Sequence, residues 1–363
     1  MTKTGAENAS DNTPKKMETH KFTLGNGGFV INSTLSLKRL ALAVAIGCFG
    51  GTAYAGDYSK HPLAQEFIDE MVNEHEFKKS DLNQWIGQAQ RKDSILKAIS
   101  RPAEKTKPWK DYRKIFVTDS RVKLGIEFWN THADDLARAE KEFGVPAEVI
   151  VAIIGVETRY GKQTGGYRVI DSLSTLAFDY PPRAPFFRKE LKEFLLLSRE
   201  QQKSPLDLKG SYAGAMGYGQ FMPSSYRAYA KDFDGDEFID IWKNPTDAIG
   251  SVANYFVRHG WKADQPVTER VRIKDSFNSE FLEDGLKPKR SISDIVAAGY
   301  SPLSEHSEQT LARVFKLDGA HGDEYWMGLH NFYVITRYNR STMYAMAVYQ
   351  LSQEIKKRHV SGR

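Results

Sequence analysis

The stretch "VIVAIIGVETRYG", Val149 to Gly161, ends an apolar run with a carboxylate at Glu157. A helix that is apolar on every side is normally buried, so Glu157 is placed where water is scarce. The exposed carbonyls of a helix C-terminus add negative partial charge beside it, and burial disfavours the charged form. Both effects favour a carboxyl that holds its proton and can donate it, which is the general-acid role in glycosidic cleavage. The competing reading is a structural ion pair with Arg159 or Arg168.

Two further stretches bear on this choice. "GSYAGAMGYGQFMPSSY", residues 210–226, mixes four glycines with Tyr212, Tyr218, Phe221 and Tyr226. Glycines let backbone pass close to a neighbour or ligand. The aromatic faces suit the C–H surface of a sugar ring, and Ser211 and Gln220 suit its hydroxyls and amides. By itself the stretch fits a packing loop between helices equally well. "RYNRSTMYAM", residues 337–346, carries Tyr338, Asn339 and Tyr344 and reads alone as aromatic core.

The elements that must carry these residues are mostly helical. "HPLAQEFIDEMVNEHEF" has helical apolar spacing, and "TDSRVKLGIEFWNTHADDLARAEKEFG" opens on Thr118/Asp119 and closes on Gly144. Pro146 and Gly161 suit the ends of a helix over about 146–159. Residues 167–202 predict two helices broken at Pro181-Pro182, with Asp171 as the cap of a helix starting at Ser172. Helices follow from about Pro223 and from Asn244/Thr246. Residues 263–326, with "PVTERVRI" and "RSISDIVAAG", read as a small strand-containing insert before the helical style resumes. The fold class is therefore mainly α (α+β).

The first 55 residues read as a leader. Lys38 and Arg39 precede the apolar run Leu40–Gly47, and Ala53-Tyr54-Ala55 supplies a cleavage site, with Met17 a candidate start. The run is too short to span a bilayer. Export from the cytoplasm follows. Cys48, preceded by Gly47, has two readings: a lipid-attachment residue anchoring the chain to the outer membrane, or a passive residue of the signal. It is the one cysteine, so no disulfide framework exists. The leader holds six Lys/Arg and three Asp/Glu, so its removal takes the net charge of the 363-residue chain from +5 to +2. Near neutrality gives no argument for nucleic acid. The sequence has no phosphate loop, no paired histidine spacing for zinc and no G-x-S-x-G frame around Ser211.

"GVETRYG", "GAMGYGQFMPSSY" and "RYNRS", in this order, resemble the lytic murein transglycosylases, in particular the membrane-bound lytic transglycosylase B family. "WKDYRKIF", "AIGSVANYF" and "RHGW" agree, and the resemblance covers most of the chain from about residue 60. It implies a lysozyme-like helical core. The domains would be a helical N-terminal domain over 56–135, the core over 136–262 and 327–363, and the β-containing insert over 263–326. It puts the catalytic acid/base at Glu157 and implies that Ser211 orients that carboxyl. Tyr112, Gln220, Tyr255, Tyr338, Asn339 and Tyr344 fall where the family lines its glycan groove. The implied activity cleaves peptidoglycan between N-acetylmuramic acid and N-acetylglucosamine and forms a 1,6-anhydromuramoyl end. The expected partners are glycan strands and other cell-wall enzymes. Two alternatives stand beside it: a hydrolytic muramidase of the same fold, and a non-catalytic glycan-binding protein.

"DFDGDEFIDIWK" places Asp232, Asp234 and Asp236 at positions 1, 3 and 5 of an EF-hand-like loop, with the Phe238 carbonyl at 7. Glycine stands at 235 rather than at position 6, and Lys243 holds position 12, where a bidentate Glu is usual. The resemblance implies a structural Ca²⁺ here, with Asp247 on the following helix closing the site. The alternative is an acidic turn without metal.

Overall fold

The computed structural model describes residues 56–100, 107–283 and 285–362. The leader, with Cys48, lies outside them.

Seven helices come first: α1 (Pro62–His75), α2 (Lys79–Gly87), α3 (Asp93–Ile99), α4 (Trp109–Phe116), α5 (Asp119–Thr131), α6 (Ala133–Phe143) and α7 (Ala147–Thr158). Their ends follow local chemistry. Pro62 opens α1 at its first turn. Thr118 caps α5 by accepting the Arg121 N–H at 3.2 Å. Gly144 ends α6 in the left-handed region at φ 66°. Every residue of α7 is buried except Glu157, because α5, α6, α11 (Pro245–Arg258) and α14 (Thr342–Ser361) surround it.

A two-residue ladder joins β1 (Tyr167–Arg168) to β2 (Lys209–Gly210). Between them α8 (Val169–Phe178) and α9 (Ala184–Glu200) pack together, separated by a single 3₁₀ turn at Pro181–Arg183. The expected start of α8 was wrong. Arg168 is its N-cap, and Asp171 lies inside the first turn. There its buried carboxylate accepts from Arg168 at 2.7 Å and from the Gln90 N–H at 2.9 Å. This ties α8 to the segment after α2. The glycine-rich loop then leads into α10 (Pro223–Tyr229), and Asn244 caps α11 by accepting the Thr246 N–H.

The insert is an antiparallel sheet in the order β4 (Arg290–Ser291), β6 (Leu311–Gly319), β7 (Gly322–Gly328), β3 (Thr268–Ile273), β5 (Tyr300–Pro302), with α12 (Ile292–Ala297) packed on it. Strand β7 runs two residues beyond 326. The insert has its own small core around Ile295, Tyr300, Val314 and Met327. The much larger helical core includes α7 and the last two helices, α13 (His330–Tyr338) and α14.

Candidate functional site

Glu157 stands one residue before the end of α7, and the backbone there reverses abruptly. Arg159, Tyr160 and Gly161 all have positive φ, at 52°, 60° and 81°. Non-glycine residues adopt this region only when their surroundings hold them there, and three contacts do so. The Tyr160 hydroxyl donates to the Arg121 carbonyl at 3.0 Å. The Thr158 hydroxyl donates to the Tyr218 carbonyl at 2.9 Å and accepts the Gly161 N–H at 3.0 Å. The Tyr160 ring folds back over Gly155, where an added Cβ would lie 2.5 Å from its hydroxyl oxygen. At Gly161 an added Cβ would lie 2.2 Å from the Tyr218 ring. The two glycines of "GVETRYG" are thus the places where aromatic rings press on the backbone around Glu157. Sequence reasoning missed Thr158 and Tyr160. The signal was the five-residue spacing from Gly155 to a tyrosine.

Neither expected ion pair forms at Glu157. Arg168 is engaged by Asp171, and Arg159 donates to the Ser120 hydroxyl at 3.0 Å. Glu157 Oε1 instead accepts a hydrogen bond of 2.5 Å from the Tyr344 hydroxyl. Tyr344 lies in the first turn of α14, whose N-cap Ser341 accepts its N–H at 3.2 Å. Burial, reinforced by the Glu157 charge, holds the Tyr344 hydroxyl well above the ordinary phenol range, so it remains a proton donor. The Tyr338 hydroxyl is raised for the same two reasons. It donates to the Gly219 carbonyl at 2.6 Å and so fastens α13 to the glycine-rich loop.

The other expected residues are placed as follows. Ser211 Oγ accepts the Ala215 N–H at 3.0 Å inside the loop, which leaves its own proton to donate. Gln220, at φ 50°, donates from Nε2 to the Thr164 and Gly217 carbonyls and bridges the turn after α7 to the loop. Asn339 follows α13 in extended conformation, partly buried. Tyr112, Tyr255 and Tyr344 are only 3%, 7% and 3% exposed. Phe221 and Tyr226, read in the sequence as faces for a sugar ring, are buried as well, at 3% and 2%. Tyr255 donates to the Arg337 carbonyl at 2.7 Å, and its ring lies 4.7 Å from that of Tyr338. Tyr212, Tyr218 and Tyr338 keep exposed or partly exposed rings.

The acidic loop lies between α10 and α11. Carboxylate oxygens of Asp232, Asp234 and Asp247 come within 4.8 Å of one another. Asp247 is the third residue of α11, fully buried, and receives the N–H groups of Phe233 and Asp240 at 2.8 and 2.7 Å. Burial pushes its carboxyl upward, and the charges of Asp234 and Asp232 add to that. Three converging carboxylates form a hard oxygen set of the kind Ca²⁺ takes. Asp236 lies outside this cluster because it is turned onto the Phe238 N–H at 2.9 Å, and the Phe238 side chain is half exposed.

Residues 59–353 match the family model described as a transglycosylase SLT domain. The chain is 46% identical to membrane-bound lytic murein transglycosylase B of Escherichia coli (strain K12), over 96% of this chain and 94% of that protein. Its structure is similar to that of soluble lytic transglycosylase SltB1 from Pseudomonas aeruginosa, with TM-score 0.79 and 57% identity over 82% of this chain and 99% of that one. It is also similar to the Escherichia coli lytic transglycosylase Slt35 in complex with calcium, with TM-score 0.78 and 48% identity over 84% and 96% of the two chains.

Proposed function

This chain belongs to the transglycosylase SLT domain family and is a lytic murein transglycosylase, and from that premise we infer how its own residues carry out the reaction. Glu157 is the general acid and then the base. The observation that carries this reading is its position: a carboxyl at the end of a buried helix, turned by a strained backbone onto a buried tyrosine donor.

With Tyr344 donating to Oε1, the proton of the acid form is carried on Oε2. That proton passes to the oxygen bridging N-acetylmuramic acid to N-acetylglucosamine. Positive charge develops at muramoyl C1 and is met by the substrate's own acetamido group. The Glu157 carboxylate then takes the proton of the C6 hydroxyl of the same sugar, and O6 closes on C1. The proton inventory balances without water, and the product is a 1,6-anhydro end. Because the substrate supplies the second nucleophile, the usual paired carboxylate of glycosidases is not needed. The two carboxylates that the sequence offers for that role are engaged elsewhere: Asp171 with Arg168 and Gln90, Asp179 with Tyr58 and Arg91. Ser211 supports Glu157 with its free proton. Gln220, Tyr338 and Asn339 border the sugar path, with Tyr112, Tyr255 and Tyr344 behind them.

Calcium is read as structural, held by Asp232, Asp234 and Asp247, and it pins the loop that leads into α11. Its charge would offset the repulsion among three carboxylates. The chain acts outside the cytoplasm, where peptidoglycan lies. Among the described residues no helix is long and apolar enough to cross a membrane; a lipid on Cys48 is a separate reading, from the sequence of the leader. The working domain division is 56–135, 136–262 with 327–363, and 263–326.

The test is a digest of purified peptidoglycan by the 56–363 protein and by Glu157→Gln, read by mass spectrometry. Anhydromuropeptides from the parent and none from the variant are expected. Reducing muropeptides, heavier by one water, would replace the mechanism by hydrolysis.

A further inference from the structure

The strand β6 has two faces with different neighbours. Ala312 and Val314 belong to the insert's own core. Arg313, Phe315 and Leu317 alternate with them, as strand geometry requires, and Phe315 and Leu317 belong to the helical core. All three are buried, at 5%, 2% and 5% exposure. A guanidinium therefore lies in the seam between insert and helices, on the same face as two apolar anchors.

Stability is a poor reason for an arginine in this seam. Taking a charged group out of water carries a penalty. Arg313 Nη1 donates to the Thr342 hydroxyl at 3.2 Å, and Thr342 is the first residue of α14 after its N-cap Ser341. A helix N-terminus carries positive partial charge, which disfavours a cation beside it. An apolar side chain of similar volume would fill the seam without either penalty.

What the arginine does reach is the corner between the last two helices. The Phe315 ring stacks on Phe332 of α13 with centroids 5.0 Å apart, and the Arg313 guanidinium lies 4.9 Å from the Phe315 ring. One strand thus holds α13 through Phe332 and α14 through Thr342. Only residues 339–341 separate the two helices, and the Ser341 N–H closes that link by donating to the Asn339 carbonyl at 2.7 Å. Tyr344, whose hydroxyl bonds Glu157, stands two residues beyond Thr342. Two residues of helix span only about 3 Å of axis, so a shift at Thr342 is carried to Tyr344. Hydrogen bonds weaken steeply once misaligned.

We propose that Arg313 is a positioning residue for the lytic reaction: from the insert, it holds the first turn of α14 so that the Tyr344 hydroxyl meets Glu157. This rests on the reading of Glu157 and Tyr344 given above. The insert then contributes to the chemistry as well as to the shape of the molecule.

The experiment uses the 56–363 protein, with release of anhydromuropeptides from peptidoglycan as the assay. Arg313→Met removes the donor and keeps an apolar side chain in the seam. It should lower kcat roughly 3- to 30-fold, the scale of one weakened hydrogen bond to a charged group, and leave KM within about twofold. Thr342→Val removes the acceptor and should act in the same direction, so it decides the matter if Arg313→Met does not fold. Thr342→Ser keeps the hydroxyl and should retain the parental kcat. The decisive readout is a double-mutant cycle with Tyr344→Phe. Once that hydroxyl is gone, Arg313→Met or Thr342→Val should change kcat by less than about twofold, because the two sites are coupled. Losses that add in full, an unchanged kcat in the single variants, or a rise in KM alone would overturn the proposal. A Glu157→Gln variant that still forms anhydro product marks a different failure, that of the reading of Glu157 itself.

Discussion

Replacing Tyr344 by Phe isolates the contact that distinguishes Glu157 from an ordinary helix-end carboxylate. The ring is 3% exposed and well packed, so the variant keeps the shape and removes one hydroxyl. What is lost is a 2.5 Å hydrogen bond to Glu157 Oε1. A hydrogen bond to a charged group contributes about 1.5–3 kcal/mol. In the proposed mechanism Glu157 becomes a carboxylate once it has given its proton away, so the loss falls on the species formed along the reaction. At about 1.4 kcal/mol per tenfold, kcat should fall roughly 10- to 150-fold. KM should stay within twofold, because so buried a ring offers the sugar almost no surface. The assay is release of anhydromuropeptides from peptidoglycan, with a thermal melt to show that the variant is folded. An unchanged kcat, or a rise in KM alone, would refute the reasoning and make Tyr344 a sugar contact. A variant as dead as Glu157→Gln would also count against it, since a positioning donor should leave residual activity.

Three further predictions concern stability. Gly155→Ala should destabilise the fold by about 1–3 kcal/mol through overpacking, despite the better helix propensity of alanine, because the new Cβ lies 2.5 Å from the Tyr160 hydroxyl; a denaturant melt checks it. Calcium at a hundredfold over its dissociation constant should stabilise the chain by about 2.7 kcal/mol; chelation should reverse the melting shift, and Asp234→Asn, at an exposed position, should abolish it while leaving the calcium-free melt in place. Burial raises the hydroxyls of Tyr58, Tyr160, Tyr226 and Tyr255 above the ordinary value of 10. The folded chain then keeps protons that the unfolded chain loses above pH 10, so stability is complete below pH 10 and declines as pH rises beyond it. Phenolate absorbance should accordingly appear together with unfolding for these four residues, and their independent titration near 10 in the folded state would contradict the burial.

Helix existence was legible because its signals are local: Pro146 and Gly161 around α7, Asn244 before α11, Pro223 opening α10. The insert was legible from its alternation, although β7 extends past the expected boundary. Asp171 shows the limit of local reasoning. Its position suggests a cap, but the cap is Arg168, and Asp171 is drawn into the first turn by Arg168 and by a backbone N–H 81 residues away. In the acidic loop, spacing suggested Asp232, Asp234 and Asp236 and the resemblance supplied Asp247; the fold gathers Asp232, Asp234 and Asp247, while the Asp236 carboxylate accepts the Phe238 N–H.

The aromatic residues show why long-range contacts are less legible than composition. Tyr338 and Tyr344 read from the residues alone as aromatic core, and only the resemblance places them along a glycan groove. In the folded chain their hydroxyls do the positioning. Tyr344 reaches Glu157 across 187 residues, and Tyr338 reaches the Gly219 carbonyl across 119. No periodicity encodes such contacts, since they depend on where α13 and α14 return against α7 and the glycine-rich loop. The return itself follows from apolar patterning: α14 buries Ala345, Met346, Ala347 and Val348 in the same core as α7. Packing that is legible only as hydrophobicity therefore delivers a polar donor to the carboxyl. A polar group so delivered must be satisfied once buried, and the Tyr344 hydroxyl is satisfied by Glu157. The stability of the core and the orientation of the acid thus depend on the same helix contact.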